Sequence, residues 1–167
     1  MEVTPENIVT LMCNTEATWR HIAGIAVNII ARKEKDMNSE QPRWTRELIS
    51  QIGAWEDRKH GEIDYYIPQA LTGHGSFMSY LKRIGKSAED KCRYCEGVDT
   101  PRHTLFECER WDGRRIRMNL DVGEEVTTAN MIQVACATKQ GWNAVMGYVK
   151  GVMREKERRL RNYVEED

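Results

Sequence analysis

The chain has 167 residues, and a hydrophobic fraction of 40% allows a real core in one globular domain or two small ones. Its 25 Lys and Arg against 26 Asp and Glu give a formal charge of -1, which excludes a generic polyanion binder and restricts any nucleic-acid contact to local patches. Because no apolar run approaches the roughly 18 residues of a membrane span, and Glu2 and Glu6 argue against a secretory signal, we expect no membrane partner.

Hydrophobic residues recur at helical spacing along almost the whole chain, so we predict an all-α fold. Thr4-Pro5 and Asn14-Thr15 are typical helix starts near the N-terminus. Pro42 leads into a third helix that ends near His60-Gly61. The apolar residues at helical spacing in this third helix are Trp44, Leu48, Ile52 and Trp55.

The second half of the chain continues the helical pattern. Residues 63–71 form a short segment in which Pro68 is tolerated only near the helix start or at a kink. Further helices are predicted after the Ser76 cap, over residues 111–120, and from Thr127 to a stop at Gly141. A long last helix runs from about Asn143 towards Val164.

A cluster of potential metal ligands lies between the helices. Cys92, Cys95, His103 and Cys108 supply three thiolates and one imidazole within 17 residues, a set typical of a closed tetrahedral site for one structural Zn²⁺ ion. We therefore expect the metal to stabilise the fold rather than to take part in catalysis. The odd number of cysteines, five, favours a reducing compartment over a disulfide scaffold.

The chain around His103 constrains how it reaches the metal. Thr100-Pro101 is a cap followed by proline, which predicts a short helix carrying His103. Residues five apart on an ideal helix point about 140° away from each other, so this helix must end or bend near Cys108. Asp99 or Glu107 would orient the second imidazole nitrogen.

Cations and aromatic residues around the cysteines are candidates for nucleic-acid binding. The candidate contacts are Lys82, Arg83, Lys91, Arg93, Tyr94, Arg102, Arg110, Arg114 and Arg115. Trp111 is a second candidate for stacking on an unpaired base. Seven acidic residues between positions 89 and 112 dilute this patch, so a solvated face of mixed charge is the alternative.

Two further features of the sequence bear on function. The late turns of the last helix carry the cations Arg154, Lys156, Arg158, Arg159 and Arg161. These cations either follow a phosphate backbone or complement the dipole of their own helix. His74 lies between two glycines, but the sequence positions no nucleophile or carboxylate as its partner, so we assign no catalytic residue.

The order and spacing of many residues between 43 and 111 resemble one protein family, the Pol proteins of insect non-LTR retrotransposons. The similarity is to the region after the reverse transcriptase domain, notably in the type-one elements that insert into ribosomal DNA. The residues that carry it are Arg43-Trp44-Thr45, Leu48-Ile49, His60-Gly61-Glu62-Ile63-Asp64-Tyr65-Tyr66, Leu71-Thr72-Gly73-His74-Gly75, Phe77, Tyr80-Leu81, Arg83-Ile84-Gly85, Cys92, Cys95, His103, Leu105-Phe106-Glu107-Cys108 and Arg110-Trp111.

This resemblance implies a zinc-containing C-terminal segment that helps a reverse transcriptase to bind its RNA template or its target DNA during target-primed reverse transcription. The parent Pol protein would be an RNA-directed DNA polymerase with an endonuclease, intracellular and nuclear during integration. Its remaining domains would be partners of this segment. The chain departs from the family at residues 34–42, which are shorter than the usual arginine-rich stretch, and it contains no Tyr-x-Asp-Asp polymerase sequence.

These observations divide the chain into four parts. We predict N-terminal helices over residues 1–41, where the segment after the polymerase would lie, a helical region over 42–90, a zinc-binding lobe over 91–115 and C-terminal helices over 116–167. The alternative function is a docking module for a polymerase or another protein, without direct nucleic-acid contact. The sequence leaves open the preference for RNA or DNA and the oligomeric state.

Overall fold

A computed structural model describes residues 40–50 and 52–164, with side chains for 44–50 and 53–161. The helices predicted at Thr4-Pro5 and Asn14-Thr15 lie outside these residues. The described chain is mostly helical and contains no strand, which confirms the all-α fold with its long C-terminal helix. None of the described helices is both long and apolar enough to cross a bilayer.

The α-helices of the described residues are α1 (Glu40–Leu48), α2 (Ile52–Asp57), α3 (Tyr66–Thr72), α4 (Met78–Arg83), α5 (Asp112–Val122), α6 (Met131–Ala137) and α7 (Lys139–Val164). A π-helical turn (His103–Glu107) and a 3-10 turn (Glu109–Trp111) lie between α4 and α5. Lys91 and Val98 form an isolated antiparallel bridge in the same region.

Helix α7 is the centre of the packing. Its Val145, Val149, Val152 and Met153 are fully buried, and the helix packs against α3, α5 and α6. Burial of each such side chain stabilises the folded state by roughly 1.5–3 kcal/mol. This face of α7 therefore contributes a large part of the stability of the core. The three valines recur at helical spacing on this buried side.

The single helix predicted from Pro42 to His60 is two helices in the structure. Helix α1 packs on α3, where the Trp44 indole N–H donates to the Ala70 carbonyl at 2.8 Å. Helix α2 packs on α6, and its Trp55 ring lies 5.7 Å from that of Trp142. The two tryptophans thus contact different neighbours, and the break after Leu48 lets the chain follow both.

The starts of α3 and α4 depend on aspartates outside the helices, Asp64 for α3 and Asp99 for α4. Helix α3 begins at Tyr66, so Pro68 lies in the first turn, where a backbone N–H has no partner within the helix. The prediction that Ser76 caps α4 is wrong. Its first N–H, from Met78, donates to the Asp99 carboxylate at 2.9 Å, a partner that lies 21 residues away in sequence.

The predicted helix stop at Gly141 is wrong. Helix α7 already begins at Lys139, and Gly141 lies in its first turn, directly after α6. A Cβ atom at Gly141 would lie 2.3 Å from the backbone oxygen of Val134. The glycine is therefore needed for the close approach of α6 and α7 rather than for ending a helix.

We predict that Gly141→Ala destabilises the protein, whereas Gly147→Ala, on the same helix, does not. A Cβ at Gly147 meets nothing within 4 Å, so the variant should gain up to about 1 kcal/mol from helix propensity. The clash at Gly141 should instead cost about 1–3 kcal/mol. Chemical denaturation measures both, and equal changes in the two variants would contradict the close approach.

Candidate metal centre

The structure brings the four predicted ligands together. The Sγ atoms of Cys92 and Cys108 are 3.8 Å apart, Cys95 Sγ is 3.1 Å from His103 Nε2, and all four ligand atoms lie within 4.8 Å of one another. Two sulfurs bound to one tetrahedral zinc would be about 3.8 Å apart. The arrangement can hold one metal ion.

A short hairpin presents Cys92 and Cys95. The N–H of Cys92 donates to the Gly97 carbonyl at 2.8 Å, and the N–H of Asp99 donates to the Asp90 carbonyl at 2.7 Å. Gly97 lies under the imidazole, where a Cβ atom would be 2.7 Å from His103 Cε1. A residue without a side chain therefore lets the hairpin and the imidazole approach each other.

The other two ligands come from the predicted short helix. Thr100 Oγ1 accepts the N–H of His103 at 3.0 Å, which confirms the predicted cap. The N–H of Cys108 donates to the His103 carbonyl at 2.7 Å, an i to i+5 hydrogen bond that makes the turn π-helical. On an ideal helix the side chains of His103 and Cys108 would point about 140° apart, and the wider π-helical turn reduces this angle. The helical turn ends at Cys108, whose backbone is extended, as expected.

The imidazole has a defined orientation. Its Nε2 faces Cys95, and its Nδ1 lies 3.8 Å from the Glu107 carboxylate. Of the two carboxylates considered from sequence, Glu107 is the one beside the ring, at ion-pair distance rather than hydrogen-bond distance. A group near the second nitrogen is typical of metal-binding histidines.

Two of the four donor residues are buried, and Cys95 and His103 are partly exposed. Cys92 and Cys108 are buried, and burial raises the pKa of the Cys108 thiol to about 12 and that of Cys92 above its usual range. Metal binding at neutral pH would therefore displace protons from these thiols. Four protein donors fill a tetrahedral shell completely, so the site has the character of a structural rather than a catalytic centre.

A buried ion pair joins the metal lobe, defined here as residues 91–111, to α7. Lys156 Nζ lies 2.6 Å from both carboxylate oxygens of Asp99, and the two side chains are only 6% and 2% exposed. Asp99 also accepts the Thr104 hydroxyl at 2.6 Å. The sequence leaves two roles open for the cations of the last helix, and burial excludes a phosphate contact for Lys156.

Two other residues with a predicted surface role brace the centre instead. The Arg115 guanidinium donates to the Cys108 carbonyl at 2.8 Å and pairs with Asp112, so it is largely buried rather than presented to a nucleic acid. Trp111 is almost fully buried, with its ring 5.4 Å from that of Tyr94. Trp111 packs on the metal lobe and does not offer a face to an unpaired base.

Several predicted nucleic-acid contacts have acidic partners. Carboxylates within 4.0 Å are found for Lys82, Lys91 and Arg102, namely those of Asp90, Glu96 and Glu47. Arg83 lies over the Tyr80 ring, 5.3 Å from its centroid. This part of the surface agrees with the mixed-charge alternative.

The remaining candidates meet around one tyrosine. Arg110 and Arg159 lie over the Tyr94 ring, with guanidinium carbons 5.7 and 5.4 Å from its centroid, and Arg114 lies 5.4 Å from the Trp111 centroid. Arg93 is exposed beside Tyr94. Arg159 is not among the candidates around the cysteines, but it is one of the cations of the last helix for which a phosphate contact is one of two predicted roles. The sequence places Arg159 in the cation-rich end of the last helix, but it does not show which other part of the chain that end approaches.

Comparisons with known proteins identify no relative. No protein-family model, no curated protein and no solved structure matches the chain. The resemblance to retrotransposon Pol proteins therefore stays a prediction.

We predict that Lys156→Met costs about 3–5 kcal/mol of stability, because it leaves the Asp99 carboxylate buried without its charge partner. The control is Lys150→Met on the same helix. Lys150 lies 3.1 Å from Asp64 in a partly exposed pair, so its loss should cost less than about 1 kcal/mol. Denaturation of both variants measures the difference, and equal losses would show that the buried pair does not anchor the lobe.

Proposed function

We propose that this chain is a nucleic-acid-binding, zinc-stabilised C-terminal segment of a non-LTR retrotransposon Pol protein. It assists binding of the RNA template or target DNA in target-primed reverse transcription. The observation that carries the nucleic-acid role is the convergence of Arg110 and Arg159 on Tyr94, next to the metal centre. Polymerisation and nicking belong to other domains of the parent protein, which are its partners in the nucleus during integration.

Zinc is the metal that fits the donor set best. Three sulfurs and one imidazole form a closed, soft set of ligands that suits a tetrahedral Zn²⁺ ion. Apparent free energies of structural zinc binding, roughly 10–16 kcal/mol, rival the roughly 5–15 kcal/mol of a whole domain. One ion is therefore enough to hold the metal lobe in the shape that presents Tyr94.

The surface around Tyr94 has the chemistry that nucleic acids require. Guanidinium groups bind phosphate oxygens through two parallel hydrogen bonds and stack on aromatic rings and bases. Arg110, Arg158 and Arg159 surround one carboxylate, that of Glu155, so the local balance is positive although the whole chain is nearly neutral. Such a local patch is the kind of contact that the composition allows.

The retrotransposon origin rests on the quoted residue runs between positions 43 and 111. In the structure these runs include the buried Trp44, Phe77, Leu105 and Trp111 as well as the metal ligands. They therefore contribute to both the core and the metal lobe. The proposal implies that the family segment has the same core and metal lobe.

A docking function is the second candidate, favoured by an apolar pair on α5. Ile116 and Leu120 lie one turn apart and are 60% and 74% exposed. A polymerase domain or another subunit would bury them. Binding to purified polymerase that is lost in Leu120→Glu, with no binding to nucleic acid, would favour this role.

We predict salt-dependent binding of nucleic acid by the zinc-loaded protein, weakened several-fold in the double variant Arg110→Gln, Arg114→Gln. Each lost phosphate contact should reduce the slope of log affinity against log salt by about 0.7–0.9. Fluorescence anisotropy over a salt series measures affinity and slope. Arg117→Gln is the control, since Arg117 is an exposed arginine of α5 that pairs with Asp121.

The metal content and circular dichroism of each variant verify that the fold persists. Absence of binding at low salt by folded, zinc-loaded protein would refute the nucleic-acid role. An equal loss in the control would show that the contact is not made at this surface.

A further inference from the structure

Glu155 holds the central position among the arginines near Tyr94. The Arg158 guanidinium donates to both of its carboxylate oxygens at 3.0 Å, Arg159 Nε donates to one of them at 3.0 Å, and Arg110 lies 4.0 Å away. Hydrogen bonds from Arg159 and Arg158 hold the pKa of the Glu155 carboxyl below its usual range. The side chain is only 17% exposed, so these guanidinium groups already enclose an anion.

The residues of this group come from three parts of the chain. Tyr94 belongs to the cysteine hairpin, Arg110 to the 3-10 turn, and Glu155, Arg158 and Arg159 to α7. We call these five residues the Tyr94 cluster. Because the hairpin and the turn are held by the metal ligands, the cluster exists only when the metal lobe is folded against α7.

The arrangement of charges in the Tyr94 cluster indicates which kind of nucleic acid it would bind, a duplex or an unpaired nucleotide. A duplex is bound by cations spread along its backbone, whereas an unpaired nucleotide is bound by an aromatic ring or guanidinium plane with cations beside it. Here Arg110 and Arg159 both lie within 6 Å of one ring centroid. Cations gathered about a single ring fit an unpaired nucleotide better than a duplex.

The carboxylate of Glu155 resembles the phosphate that the same arginines would bind. Carboxylate and phosphate both accept paired hydrogen bonds from a guanidinium group. A phosphate entering the Tyr94 cluster would therefore compete with Glu155 for Arg158 and Arg159. The competition lowers affinity for every ligand that binds there through a phosphate.

We propose that the Tyr94 cluster binds one unpaired nucleotide of single-stranded RNA or DNA, and that Glu155 occupies its phosphate position until the strand binds. The base packs against Tyr94 and the adjacent guanidinium planes, and the flanking phosphate binds Arg158 and Arg159. The inference rests on the proposed nucleic-acid function and specifies its substrate class. Glu155 is thus an internal competitor that sets how tightly the strand is held.

The test measures binding of the zinc-loaded full chain to oligonucleotides of about 12 nucleotides by fluorescence anisotropy. Single-stranded RNA, single-stranded DNA and a DNA duplex of one sequence are compared. Glu155→Gln should tighten single-strand binding about threefold or more, because it frees the arginines. Glu157→Gln removes the same charge from a residue that pairs with Arg161, and should change affinity by less than about twofold.

Substitution of the ring provides the second arm. Tyr94→Ala should weaken single-strand binding about fivefold or more through lost stacking, whereas Tyr94→Phe should bind like the natural protein. Zinc content verifies that Tyr94→Ala keeps the metal lobe. If that variant loses zinc, the comparison of Glu155→Gln with Glu157→Gln decides alone.

The outcomes separate this inference from the proposed function. Binding of either single strand above the duplex, with the effects of Glu155→Gln and Tyr94→Ala as given, supports the site. Equal binding of duplex and single strands, with Glu155→Gln no different from Glu157→Gln, overturns the site and leaves the nucleic-acid role intact. No binding to any oligonucleotide at low salt overturns both.

Discussion

The convergence of three sulfurs and one imidazole is the constraint on which the metal lobe depends. Within residues 91–111, all of them described, the backbone has one isolated bridge, one short helical turn over 101–107 that is π-helical from His103, and one 3-10 turn, so repetitive hydrogen bonding contributes little to its shape. Its backbone hydrogen bonds therefore offset only a small part of the conformational entropy lost on folding. Donors from its hairpin and from its helical turn meet at one point, where a single ion can fix both.

The ion alone would not fix the position of the metal lobe relative to the helices. Asp99 supplies that relation, because its carboxylate accepts hydrogen bonds from Met78 and Thr104 and pairs with the buried Lys156 of α7. Arg115 adds a second link through the Cys108 carbonyl. Together these contacts place Tyr94 against the cationic end of α7. The proposed nucleic-acid surface is thus a consequence of how the lobe is docked.

The sequence was most informative where spacing alone determines the result. The ligand residues, the Thr100 cap and the end of the helix at Cys108 follow from local geometry, and all are found in the structure. The errors, and the role left open for Lys156, concern partners distant in sequence. The break after Leu48 and the close approach at Gly141 depend on which helices pack together, and the burial of Lys156 depends on an aspartate 57 residues away. Periodicity contains no information about such pairs.

The claim that one zinc ion is bound by Cys92, Cys95, His103 and Cys108 is tested most directly by metal analysis and zinc-edge X-ray absorption of the purified protein. We expect one zinc per chain, with three sulfurs at about 2.3 Å and one nitrogen at about 2.0–2.1 Å from the metal. A folded, helical protein without zinc, or zinc bound only by nitrogen and oxygen, would contradict it.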